Sequence, residues 1–164
     1  SAASDVYKRQ SLMKLFVFSL FYICKKMIQF FHNGFLTLDN KQLSEWLVKV
    51  ANKEGFVIQK LYYNFVDARK LYELNQKYLN HHNDTDILTF DYSVNNEISA
   101  EAFISHDALE QNAKTNKQSV ETETLRLLSH ALLHCFGHPD KSPDEKLFMR
   151  LKEEECIAMF HVKQ

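Results

Sequence analysis

Apolar residues recur with two different periods along the chain, and the switches between them outline a mixed fold. Residues 27–32 and 35–38 are short, aromatic, strand-like pieces on either side of Asn33-Gly34. Asp39 is placed to cap a helix whose apolar positions Leu43, Trp46, Leu47 and Val50 share one face, and Gly55 ends it. Phe56 to Val66, rich in β-branched and aromatic residues, predicts a strand. Asp67 then caps a second helix with Leu71, Leu74 and Tyr78 on one face, followed by a polar loop from His81 to Asp84. Ile87 to Tyr92 and Ile98 to Ser105 predict two strands joined as a hairpin through Val94-Asn95-Asn96-Glu97. Helices are expected over Asp107 to Asn116, Glu121 to Phe136 and Ser142 to Phe160. In the last, Ser142 is the cap, Pro143 takes the first helical position and Glu145 completes a capping box. Interleaved strands and helices predict an α+β (α/β-like) class: a small mixed sheet of about four strands packed with about five helices. No linker interrupts residues 27–164, which read as a single domain.

Residues 1–26 do not share these patterns. Ser1 to Gln10 has no hydrophobic periodicity and resembles a cloning or read-through scar. Met13 to Cys24 is apolar but short for a transmembrane span, which needs ~20 residues. It also lacks a small-residue cleavage site before Lys25-Lys26. The expectation is that Met27 is the native start and that 1–26 is non-native upstream sequence; a signal or anchor is the alternative.

Composition narrows the class. Of 164 residues, 45% are hydrophobic and 25% charged, with only three Gly and two Pro, which excludes collagen-like, low-complexity and disordered chains. Three widely spaced cysteines (Cys24, Cys135, Cys156) form no CxxC pair, which argues against a disulfide framework or a thiolate zinc knuckle and for a reducing, cytoplasmic setting. The whole chain carries a net charge of −1; residues 27–164 alone, with 15 basic and 20 acidic groups, carry −5. A globally basic nucleic-acid binder is thereby excluded, and any nucleic-acid contact must be local or pass through a metal.

The chemistry concentrates between Arg126 and Asp140. On a helix, His130 and His134 lie four residues apart on one face, with ~6 Å between Cβ atoms, so one ion can bridge the two imidazoles. Gly137 is suited to a left-handed helix stop and Pro139 prevents the helix resuming, so the chain turns back behind His134. Asp140 can then swing toward the same ion as the favoured third ligand, with His138 as its competitor. Three ligands leave coordination positions open, which marks a catalytic site. Leu125, Leu127, Leu128, Ala131, Leu132 and Leu133 make the helix apolar nearly all round, so its histidines are not a solvated face and need partners. An Asp in place of a third His hardens the site, admitting Mn²⁺ or Mg²⁺ beside Zn²⁺. The zinc-protease base after the first His is missing, since Ala131 stands there, which disfavours that mechanism. Arg126, one turn before His130, has two readings: a catalytic contact to phosphate, or an ion pair with Glu121 or Glu123.

These residues resemble the YbeY family of bacterial rRNA maturation factors, whose motif H-G-x-L-H-L-x-G-Y-D-H is matched at His130, Leu133, His134 and Gly137. It departs at Ala131, at His138 (family Tyr) and at Asp140 (family His). Tyr78 with Thr85-Asp86-Ile87-Leu88-Thr89-Phe90 is similar to the family's TDVLSF strand, and Ala100-Glu101-Ala102-Phe103-Ile104-Ser105 to its G-D-I-x-I-S. The resemblance spans about Met27 to Phe160. It implies a metal-dependent endoribonuclease acting on single-stranded RNA, in small-subunit rRNA 3′-end maturation and ribosome quality control. Implied partners are rRNA and the ribosome, with no DNA and no membrane. Leu79 stands where many members carry an Arg that helps hold RNA, and Glu101 where they carry Asp; both put nuclease activity in question. The alternative is a non-catalytic ribosome-assembly factor with a structural metal. Phe90, Tyr92 and Phe103 are candidate base-stacking residues, and His81, His82 and His106 read as loop residues, not ligands.

Overall fold

The computed structural model describes residues 27–79 and 85–162. The upstream segment 1–26, the loop His81–Asp84 and the side chain of Leu79 lie outside the described residues. The elements run β1 (Met27–Phe31), α1 (Asn40–Lys53), β2 (Val57–Val66), α2 (Ala68–Leu79), β3 (Ile87–Asp91), β4 (Glu97–Ser105), α3 (His106–Thr115), α4 (Val120–Cys135) and α5 (Pro143–His161).

The sheet order is β1-β2-β4-β3, with β1 and β4 parallel to β2 and β3 antiparallel to β4. Burial alternates along β2 at Leu61, Tyr63 and Phe65, while a register shift between Ile58 and Lys60 lets Ile58 face the same side. A bulge of this kind inserts one residue and resets the pleat. Together with Ile98, Ala100, Ala102 and Ile104 of β4, these residues meet α1 and α4 in the main core. Helix α5 closes that layer: the Trp46 indole N–H of α1 donates to the Cys156 carbonyl at 2.7 Å. Tyr63 donates its hydroxyl to the Leu128 carbonyl at 2.8 Å, fixing α4 directly over the central strands. On the opposite face of the sheet, α2 covers β3 and β4, where Leu71 and Leu88 are buried apart from the main core.

The capping signals behave as their chemistry requires. Asp39 accepts from the Gln42 N–H at 2.8 Å and Asp67 from the Lys70 N–H at 2.7 Å. Ser142 and Glu145 form the reciprocal capping box, with Pro143 opening α5. Two expectations are corrected. Residues 35–38 form no strand: the chain turns through Asn33 (φ 45°) and Gly34 (φ 85°), and Phe35 N–H donates to the His32 carbonyl at 2.7 Å. Because β1 pairs in parallel with β2, Phe35, Leu36 and Leu38 find no strand partner and pack their side chains against the core. In α2 the buried positions are Leu71 and Asn75, whereas Tyr78 is 55% exposed, set edge-to-face with Phe90 at 5.2 Å between ring centroids and with Lys77 Nζ 4.9 Å from its ring centre. Among the described residues no helix is long and apolar enough to cross a membrane.

Candidate metal centre

Helix α4 is capped by Ser119, whose hydroxyl accepts from the Thr122 N–H at 3.0 Å. Its buried hydroxyls are satisfied within the helix, Thr124 donating to the Val120 carbonyl and Ser129 to that of Leu125. Leucines bury it on several sides, so it is held rigidly between the sheet and α5. At its end Gly137 takes φ 90°, a conformation that favours glycine. Gly137 N–H then donates to the His134 carbonyl at 2.9 Å and His138 N–H to that of Leu133 at 3.2 Å, the paired bonds of a Schellman stop. This turn carries Asp140 back over the last coil of the helix.

The result is a convergence of three donors. His130 Nε2 and His134 Nε2 lie 3.0 Å apart, and Asp140 Oδ2 sits 3.6 Å from the first and 3.5 Å from the second. The other ring nitrogens fix the tautomers. His134 Nδ1 meets the His138 carbonyl at 2.9 Å, which can only accept, so Nδ1 carries the proton. His130 Nδ1 meets Glu153 Oε1 at 2.6 Å and donates in the same way. With both rings neutral, the two Nε2 atoms turn lone pairs toward one another and toward a carboxylate, an arrangement that a cation between them would satisfy. A tetrahedral zinc with ligand bonds of ~2.0–2.1 Å places its donors ~3.3 Å apart, in the range these three atoms occupy. Burial, and then the neighbouring His130, hold the His134 imidazole below its ordinary pKa, which favours the neutral, ligand-competent form. The donor set fits a metal ion, which the three residues His130, His134 and Asp140 would hold.

The structure places the other candidates as follows. His138 contributes its backbone carbonyl to His134, while its ring packs against Phe148 at 5.3 Å. Arg126 is enclosed by carboxylates: Glu123 on two of its nitrogens at 2.9 and 2.6 Å, Asp86 at 3.3 Å and Glu153 at 3.6 Å. The ion pair with Glu123, one of the two readings of Arg126, is thus present, and these carboxylates hold the guanidinium strongly in its charged form. Asp86, from the Thr85–Phe90 stretch, also accepts from Asn112 at 3.0 Å, so it joins the start of β3 to α3 and α4. Ser105 caps α3 by accepting from the Ala108 N–H at 3.1 Å. Glu101 accepts from Asn64 at 3.0 Å on the sheet face away from the main core. Phe90 and Phe103 are half-buried against each other, leaving Tyr92 as the exposed member of the aromatic trio. His106 opens α3 and stacks on Phe35; His81 and His82 lie outside the described residues.

Glu153 escaped the sequence reading. Glu153 lies 23 residues beyond His130, and only the packing of α5 on α4 brings the two together. Its one sequence trace is a carboxylate set between Met149 and Cys156 on the buried face of α5.

Comparison with known proteins agrees with this geometry. A family model described as Endoribonuclease YbeY matches residues 30–161. The chain is 44% identical to an Endoribonuclease YbeY of Flavobacterium johnsoniae over 139 residues, covering 84% of this chain and 100% of that protein. It is 35% identical to another from Christiangramia forsetii, covering 85% and 99% of the two chains. The solution structure of TM1509 from Thermotoga maritima superposes with a TM-score of 0.53 at 25% identity, covering 82% of this chain and 89% of that one. A mixed four-stranded sheet, a two-histidine helix ending in a glycine stop, and matches over nearly the whole described chain together make this protein a member of the YbeY family.

Proposed function

We propose that the protein is a metal-dependent endoribonuclease that hydrolyses phosphodiester bonds of single-stranded RNA during rRNA maturation, working in the cytoplasm on the small ribosomal subunit. The observation that carries the reading is the set of three donors, two of them bare imidazole nitrogens aimed at one point. Family membership supplies the substrate class. His130, His134 and Asp140 hold one ion, which we take as Zn²⁺. When bound, the ion supplies Lewis acidity that polarises a phosphoryl oxygen and acidifies a water molecule. The protein's own part is to orient both imidazoles with Nε2 toward the ion, to hold His134 in its neutral form, and to present the site from helix α4. Arg126, already ringed by three carboxylates, serves the site as a fixed positive charge within the scaffold, not as a contact to the phosphate.

The test is cleavage of an end-labelled single-stranded RNA by the zinc-loaded full chain, beside His134→Ala. Cleavage by the wild type that disappears in the variant supports the reading. Equal cleavage by both points to a contaminating nuclease. Intact RNA with metal bound to the wild type overturns hydrolysis and leaves the assembly-factor alternative, in which the ion holds the fold.

A further inference from the structure

We propose that Glu153 is the positioning residue of the metal centre, fixing His130 with Nε2 toward the ion and supplying the negative charge that completes the site's electrostatics. The inference rests on the metal reading above. Glu153 is 3% exposed and lies on α5 between buried Met149 and Cys156, a seam position where an apolar side chain would pack without penalty. A carboxylate taken out of water there is unfavourable unless something specific engages it. Two groups do. His130 Nδ1 lies 2.6 Å from Oε1, a short, charge-assisted distance, and Arg126 Nη1 lies 3.6 Å from the same oxygen.

Charge counting points the same way. Glu123, fully buried, already takes two nitrogens of Arg126. The single guanidinium thus faces two buried carboxylates as well as the half-exposed Asp86, leaving the cluster net negative. A divalent cation on the far nitrogen of His130 supplies the missing positive charge through the imidazole. Carboxylate–histidine–metal chains of this form raise ligand basicity and hold the ring in one orientation. The two ligands are therefore unequal: His134 is held by a neutral backbone carbonyl, and His130 by a buried carboxylate.

The test uses the full chain, with zinc affinity measured by chelator competition and folding checked by melting of the zinc-free protein. Glu153→Gln keeps the shape and removes the charge. Glu123→Gln removes the other buried charge beside Arg126 without touching His130. Zinc affinity is expected to fall about ten- to hundredfold in Glu153→Gln, the range typical of such partners, and to stay within about threefold in Glu123→Gln, which has no bond to a ligand. In zinc-bound protein, the His130 Nδ1 proton should resonate far downfield and move upfield in Glu153→Gln, while that of His134 stays in place. Unchanged affinity in Glu153→Gln, or an equal loss in Glu123→Gln, overturns the proposal. Should Glu153→Gln not fold, the wild-type spectrum decides, since a His130 without a hydrogen-bonded Nδ1 proton rules the role out. Failure of the wild type to bind zinc sinks the metal reading together with this one; tight binding indifferent to Glu153 sinks this one alone.

Discussion

Replacing Arg126 by Ala removes the guanidinium that contacts Glu123 and Glu153, which are 0% and 3% exposed. Glu123 keeps Gln118 and Glu153 keeps His130, but both lose the guanidinium, so the variant leaves buried negative charge under-compensated. Breaking a buried pair from one side costs about 3–5 kcal/mol, and here two carboxylates are affected, which places the expected loss at the upper end. Against a total stability of ~5–15 kcal/mol that is a third or more of the folding free energy. The matching fall in melting temperature at that upper end, at ~2–4 °C per kcal/mol for chains of this size, is about 10–20 °C. The assay is urea unfolding of the zinc-free full chain, with Arg69→Ala as control. Arg69 pairs with Glu73 at 3.2 Å on the open surface, where such pairs contribute at most ~1 kcal/mol. A loss below about 1 kcal/mol in Arg126→Ala, or one equal to that of the control, would refute the reasoning. Retained stability with lost RNA cleavage would instead make Arg126 a contact to substrate.

Three further expectations follow from other parts of the molecule. Gly137→Ala meets no atom within 4 Å, so its effect is purely that of a side chain at φ 90°, about 1–2 kcal/mol, and an unshifted melting curve would contradict the assigned helix stop. Asp140→His exchanges a hard ligand for a softer one; the preference for Zn²⁺ over Mn²⁺ should rise, and an unchanged ratio of affinities would place Asp140 outside the coordination set. Burial pushes the Cys135 thiol up to about 12 and that of Cys156 to about 11. An acid whose folded pKa is raised stabilises the fold below its unfolded pKa and loses that contribution as pH rises past ~8.5. Both thiols should therefore resist iodoacetamide at pH 8 until urea is added, and stability should decline above that pH; peptide mapping that finds either one alkylated in the native protein would count against the burial.

What was legible in the sequence is what is local. Asp39, Asp67 and Ser142 cap helices because the side-chain oxygen reaches an N–H only a few residues on. The three donors of the candidate metal centre fall within one helix and the turn behind it, so spacing alone brings His130, His134 and Asp140 together. Residues 35–38 have strand-forming composition without being a strand, because such composition describes a side chain's fit to a pleated surface and not the presence of a partner; β1 holds the place beside β2. Tyr78 followed the helical spacing yet sits at the rim of the buried stripe, whose centre is set by the position of the sheet. The pairing of Glu153 and Asp86 with Arg126 is not legible for the same reason: they reach it from 27 and 40 residues away, one on α5 and the other just before β3.

The order of the sheet also bears on how the protein behaves in a crowded solution. Its two long strands, β2 and β4 with 10 and 9 residues, lie inside, while the two edges are formed by β1 and β3 with five each. An edge is where unpaired backbone groups can template the addition of a foreign strand. Here the ladder offered to an incoming chain is half the length of the one inside, and Asp91 places a charge at the end of the β3 edge. Short edges of this kind limit self-association by strand addition.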